Sequence, residues 1–234
     1  MFLWNTTYFL YMLPAFLLVM LAQFWVNSTY SKWSERRNHS GMSGGEAANR
    51  LLRHSGLTDV KLEGVSSRLG DHYDPRSKTL RLSPDVAQNP SVASLAIAAH
   101  EIGHALQHKE SYVPLRFRSA LVPAASIGSR LGPILIIIGL LLGGILGTQL
   151  AWVGVFAFGL GAVFALATLP LELNASSRAK ALLTQSGIVR SEEERQGVSA
   201  VLNAAALTYI AALAAAILQL LYYLSLMSGG RRRR

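Results

Sequence analysis

The stretch that most restricts the fold is LGPILIIIGLLLGGILGTQLAWVGVFAFGLGAVFALATLPLEL, Leu131 to Leu173, an apolar run in which Glu172 is the only charged residue. A helix needs about 20 apolar residues to cross a hydrocarbon core of about 30 Å, so the run is about twice one span and predicts a helical hairpin. Its turn is expected in the uncharged stretch Gly147 to Ala151. Gly139, Gly143, Gly147, Gly154 and Gly161 fit close packing of the two helices, although small residues are common in membrane helices without that role. YFLYMLPAFLLVMLAQFWV, Tyr8 to Val26, is a further span, and no basic segment precedes it, so it reads as a retained helix and not as a cleaved signal peptide. Trp4, Tyr8, Trp25 and Tyr30 stand where interfacial aromatics belong, and Pro14 predicts a kink. VLNAAALTYIAALAAAILQLLYYLSLM, Val201 to Met227, makes a fourth span. Composition agrees, since 51% of residues are hydrophobic and 15% charged, an excess gathered into these runs and not spread through a soluble core.

Between the first span and the hairpin the chain changes character. SGGEAANRLLRHSGL predicts a short helix with Ser43 as N-cap, Glu46 three residues later and Gly56 as its stop. VKLEGV and SKTLRLS alternate in the manner of strands and are joined by SSRLGDHYDPR, rich in turn formers, which predicts a β-hairpin. The expected organisation is a first transmembrane helix at 1–26, a polar region at 27–118, a transmembrane hairpin at 119–171, a polar segment at 172–202, a fourth transmembrane helix at 203–227 and a basic tail at 228–234. Residues 27–118 carry thirteen Lys or Arg and residues 174–197 carry four, whereas the central turn carries none, which predicts both polar segments on the cytoplasmic side. Arg231 to Arg234 run against this assignment, because an even number of spans returns them to the opposite side; a re-entrant last helix or an altered C-terminus would reconcile them. The net charge of +9 sits beside apolar runs, where it meets anionic headgroups of the lipid bilayer, so nucleic acid is not expected as a partner.

Chemistry concentrates in SLAIAAHEIGHALQHKE, Ser94 to Glu110, on a helix expected to begin near Pro90 or Ser91. The chain has no cysteine, so disulfides, thiolate ligation and cysteine nucleophiles are excluded and a transition metal must be held by His and carboxylate. His100 and His104 are one turn apart on one helix face and can converge on one ion. Glu101 lies about 100° around the helix, within reach of a metal-bound water. An ordinary amphipathic helix is the plain alternative, but the uniformly apolar SLAIAA before the motif would not accept an unpaired Glu101 there. His108 is about 12 Å from His100 along a straight helix, too far to join the same ion, and reads as solvated or supporting. The third ligand is then best sought in Glu172, at the end of an apolar run, with Glu110, Asp71 and Asp74 as rivals in polar segments and pairing of Glu172 with Arg178 as its plain alternative.

These segments carry a resemblance over nearly the whole chain. LPAFLLVMLAQFWVNSTYSK, LGDHYDPRSKTLRLSPDV, AAHEIGHALQH, LRFRSALVPAASIGS, LPLELNASSRA and VLNAAALTYIAALAAAILQLL together resemble the bacterial membrane zinc metallopeptidase family typified by YugP, and more distantly the HtpX and Ste24 membrane proteases. The resemblance implies a neutral zinc endopeptidase of the gluzincin type in a bacterial cell membrane, with His100, His104 and Glu172 as ligands of Zn2+ and Glu101 as catalytic base. In the distant relatives an Asp four residues after the third ligand orients a ligand histidine; this chain has Ser176 there, which leaves Asn174 and Ser176 as candidates for that task. The fold class expected is a mainly α, polytopic membrane protein with about four transmembrane helices and a small α+β zincin-like catalytic domain containing a β-hairpin. The reaction expected is hydrolysis of a peptide or protein substrate, membrane-associated in keeping with the spans, by a zinc-activated water with Glu101 as general base. His72 and Tyr73, in DHYDP, are candidate oxyanion donors, with shaping of the turn as the alternative. KTLRLS is expected to accept an extended substrate by strand addition. A non-hydrolytic zinc-binding assembly factor or regulator is the second function class, and Glu101→Gln separates the two. A transporter is disfavoured, since the spans hold no ionisable residue at mid-depth.

Overall fold

The structure, a computed structural model, describes residues 6–67 and 70–229; Trp4 and Arg231–Arg234 lie outside the described residues. In chain order the elements are α1 (Thr6–Ser34), α2 (Gly44–His54), β1 (Lys61–Gly64), β2 (His72–Asp74), β3 (Thr79–Leu82), α3 (Pro84–Gln88), α4 (Val92–Lys109), α5 (Val113–Leu142), α6 (Gly144–Gln185) and α7 (Glu192–Gly229). The protein is mainly α, and α1, α5, α6 and α7 are each long and apolar enough to cross a membrane. Pro14 lies inside the continuous α1. The chain divides into two compact units.

One unit comprises the chain up to Gln23, Arg116–Leu169 and the chain from Thr208 onward. Leu10, Phe16, Leu141, Ile145, Leu146 and Phe156 are all exposed along its helices, Leu141 by 81%, as befits a surface whose solvent is hydrocarbon. The hairpin turn falls at Gly143 and Gly144, with φ of +63° and +62°, and not at Gly147 to Ala151 as expected. That left-handed pair, which only glycine adopts without strain, ends α5 and leaves Gly147 to Ala151 inside α6. The remaining glycines sort by contact. A Cβ on Gly154 would stand 2.6 Å from the carbonyl oxygen of Gly132, and one on Gly139 would stand 2.5 Å from the Ala151 amide nitrogen, so α5 and α6 touch backbone to backbone. Gly147 likewise abuts Gly139, whereas Gly161 has only Ser129 Cβ at 3.7 Å and plays no such part.

The other unit comprises Phe24–Leu115 and Pro170–Leu207. Its core is built around α4, whose first turns from Val92 to Ala99 are almost wholly buried, the property of a helix apolar on every side. Ser91 caps it by accepting from the Ser94 amide. Against it pack Ala47, Ala48, Leu51 and Leu52 of α2, Leu80 and Leu82 of β3, and Ala179, Leu182, Leu183, Val198 and Leu202 of α6 and α7. The α2 cap is the expected box: Ser43 accepts from the Glu46 amide at 3.2 Å, and Glu46 accepts from the Ser43 amide at 2.8 Å.

The sheet corrects one expectation. Its order is β1-β3-β2, with β1 parallel to β3 and β2 antiparallel to β3. A hairpin is present, but it joins β2 to β3, and the two segments expected to form it run in the same direction. The reason is that DHYDPR holds a strand as well as a turn: His72–Asp74 takes the reversed direction, and Asp74 then closes the turn by accepting from the Arg76 amide and the Ser77 hydroxyl. Since β3 has a neighbour on each edge, strand addition onto KTLRLS is closed.

Candidate metal centre

His100 and His104 face the same way from α4 because they are one turn apart, and their rings meet edge to face at 4.8 Å between centroids. Glu172 reaches them from α6, two residues after Pro170. Its Oε2 is 3.3 Å from His100 Nε2 and 3.5 Å from His104 Nε2. The helices approach this closely because Gly103 has no side chain; a Cβ there would stand 2.6 Å from the carbonyl oxygen of Ala175. The three ligand atoms lie within 4.8 Å of one another, and the carboxylate is only 4% exposed. This donor set fits zinc. Ligands about 2.0–2.1 Å from a tetrahedral ion are about 3.3 Å from each other, close to both separations from the carboxylate, and two imidazoles with one carboxylate is a known catalytic set.

The rival carboxylates are engaged elsewhere. Asp71 accepts from the amide and hydroxyl of Ser83, at 2.7 and 3.1 Å. Asp74 closes the hairpin turn, and Glu110 pairs with Arg178 at 2.7 Å. Arg178 therefore has its carboxylate partner in Glu110 and not in Glu172.

Glu101 is buried at 9% exposure and accepts from the Tyr73 amide at 2.9 Å. Burial raises its pKa above the ordinary glutamate range, opposed in part by His100 and His104. For His104, burial works against the charged form, but Glu172 and Glu101 outweigh it and the pKa is raised. The Tyr73 hydroxyl lies 2.9 Å from His108 Nδ1, so His108 ties β2 to the end of α4 and is not beside the two motif imidazoles' carboxylate. Burial pushes the Tyr73 phenol up to about 12. His72 is exposed, its Nδ1 2.7 Å from the Gly70 carbonyl and its Nε2 3.4 Å from Arg81, so its ring is outside the group of His100, His104 and Glu172.

Both imidazoles have a partner at Nδ1. Ser176 Oγ is 3.2 Å from His100 Nδ1, while Gln107 Oε1 is 3.0 Å from His104 Nδ1. Asn174 acts at one remove, accepting from Gln107. Gln107 and Gly103 were not legible as functional from the motif alone, although Gln107, three residues after His104, shares its helix face.

Comparison with known proteins follows the same line. A family model described as "Putative neutral zinc metallopeptidase" matches residues 8–228. The chain is also similar to "Putative membrane protease YugP" of Bacillus subtilis (strain 168), with 42% identity over 210 residues, 90% of this chain and 92% of that protein. No solved structure matches the chain.

Proposed function

Because this chain belongs to the family of neutral zinc metallopeptidases, we propose that it is a membrane zinc endopeptidase with His100, His104 and Glu172 as metal ligands and Glu101 as general base. The observation that carries the proposal is the convergence of His100 Nε2, His104 Nε2 and Glu172 Oε2 from two helices far apart in sequence. Zinc held there would supply Lewis acidity, the property by which a metal lowers the pKa of a water to about 7 and polarises a carbonyl. Glu101, one residue from His100 and turned toward β2, takes the proton of the attacking water and returns it to the leaving amine. Its burial suits it to the task, since a carboxylate with a raised pKa is the stronger base. The Tyr73 amide keeps that carboxylate aimed. Tyr73 thus acts through its main chain, and its hydroxyl or the exposed His72 would serve as oxyanion donor only by leaving their present partners, His108 and Gly70. An extended peptide substrate adds to an edge of the sheet, and β2 is the edge joined to Glu101.

The test separates metal from chemistry. Purified protein should hold about one zinc, and His100→Ala, His104→Ala and Glu172→Ala should each lose it. Glu101→Gln should keep zinc and lose peptide hydrolysis by about 10²–10⁴-fold. An active Glu101→Gln protein would remove Glu101 from the mechanism, and full zinc occupancy in the double histidine variant would reject the site. We place the site on the cytoplasmic side of a bacterial cell membrane from the thirteen Lys and Arg at 27–118. Since the chain has no cysteine, single cysteines introduced at the exposed Thr58 and Ile145 read this directly: an impermeant thiol reagent applied to intact cells should label the second and spare the first, and the reverse pattern inverts the topology.

A further inference from the structure

Gln107 is fully buried on α4, and every one of its polar contacts has a fixed direction. Arg178 sets the first direction, because its guanidinium has only donors. Its Nε lies 2.7 Å from Asn174, so the Asn174 atom facing it is the oxygen, Oδ1. That same Oδ1 is 2.9 Å from the Gln107 amide, and the Leu171 carbonyl oxygen is also 2.9 Å away. Two acceptors face one end of the Gln107 amide, so that end is the NH₂ group and both of its protons are used. The opposite end is then Oε1, and it faces His104 Nδ1 at 3.0 Å. An amide oxygen only accepts. His104 Nδ1 must therefore carry a proton, which leaves Nε2, on the side of Glu172, with its lone pair free for an ion. The start of the relay is itself anchored, since Arg178 pairs with Glu110 at 2.7 Å and its guanidinium lies over the Tyr112 ring at 5.8 Å.

We propose that Gln107 is a positioning residue that sets the tautomer of His104, holding its proton on Nδ1 and presenting Nε2 to the metal, with Asn174 and Arg178 fixing the direction of the Gln107 amide. The proposal rests on the reading of His104 as a ligand, but the tautomer is a property of the chain that can be read without metal. Ser176 has no equivalent power over His100, because a hydroxyl both donates and accepts and so permits either tautomer.

The experiment uses full-length protein in detergent micelles, labelled with ¹⁵N-histidine, with His104 assigned by the resonance lost in His104→Gln. Ring nitrogen shifts are recorded for the zinc-loaded protein and, at a pH where the ring is neutral, for metal-free Glu172→Ala, which removes the competing acceptor at Nε2. Both should show a protonated Nδ1. Gln107→Met, of similar volume but with no acceptor, should yield mixed tautomers in the Glu172→Ala background. With Glu172 in place it should weaken zinc binding about 10–100-fold, measured by chelator competition. Asn174→Leu should weaken zinc in the same direction by freeing the amide to turn, while Asn174→Asp, which still accepts from Gln107 and Arg178, should restore the wild-type tautomer and affinity. A bare Nδ1 on His104 in metal-free Glu172→Ala overturns the proposal, and so does a Gln107→Met protein with unchanged tautomer and affinity. Should Gln107→Met fail to fold, the Glu172→Ala tautomer and the Asn174 pair decide. If zinc binding proves indifferent to His104→Ala, the metal reading fails while the tautomer still decides the role of Gln107.

Discussion

Glu101 and Glu172 both feel the charge of His100 and His104, and their surroundings suit them to the two different roles proposed. Glu172 turns one oxygen to both Nε2 atoms, as the proposed ligand role requires. Glu101, adjacent to His100 in sequence, is carried around the helix to the Tyr73 amide, where burial opposes its charge and makes it a better base. Between the two histidines, Gly103 decides whether Glu172 arrives at all. An added methyl group would meet the Ala175 carbonyl at 2.6 Å, backbone that cannot swing aside, so α6 must retreat. Gly103→Ala should therefore cost about 1–3 kcal/mol of stability and at least about 10-fold in zinc affinity, of the order found when ligand support is lost. Thermal unfolding and chelator competition measure the two effects. An alanine variant that binds zinc as tightly as wild type would show that α6 is not held by this contact.

At the scale of elements, the helices were legible and the joints between them were not. Ser43 with Glu46, and Ser91 before an apolar stretch, mark helix starts by local hydrogen bonding, and the structure has both caps. A run of apolar residues carries no polarity signal that would place its turn; what fixes it is the pair of left-handed glycines, Gly143 and Gly144, among many glycines that look alike in sequence. The sheet departs from expectation for a related reason. A three-residue strand such as His72–Asp74 is too short to show alternation, so the segment has the look of a loop, and with β2 in the antiparallel place β1 pairs parallel to β3.

For the molecule as a whole, the unit that holds the candidate centre is assembled from two separate stretches of chain. Its core takes Leu182, Leu183, Ile188, Val189, Val198, Val201 and Leu202 from the second stretch. Each such side chain contributes roughly 1.5–3 kcal/mol on burial, and seven of them amount to about 10 kcal/mol or more, comparable with the entire stability of a domain at about 5–15 kcal/mol. A fragment of residues 27–118 lacks these side chains as well as Glu172. It should be unfolded by circular dichroism and should lose zinc to a chelator that leaves the full chain loaded. If that fragment folds and keeps zinc tightly, the third ligand lies within it and Glu172 is misassigned.

The sequence alone determined what depends on near neighbours. Spacing by four placed His100 and His104 on one helix face, four apolar runs of sufficient length marked the helices able to cross a membrane, and the lack of cysteine left only His and carboxylate to hold a metal. Tertiary structure alone decided which carboxylate meets the histidines, which of Asn174 and Ser176 touches an imidazole, and that Gln107 faces the other one. Those choices depend on the approach of α4 to α6, an approach that rests on the absent side chain of Gly103. A contact between residues some seventy positions apart leaves no periodic trace along the chain, so it becomes visible only when the two helices are packed.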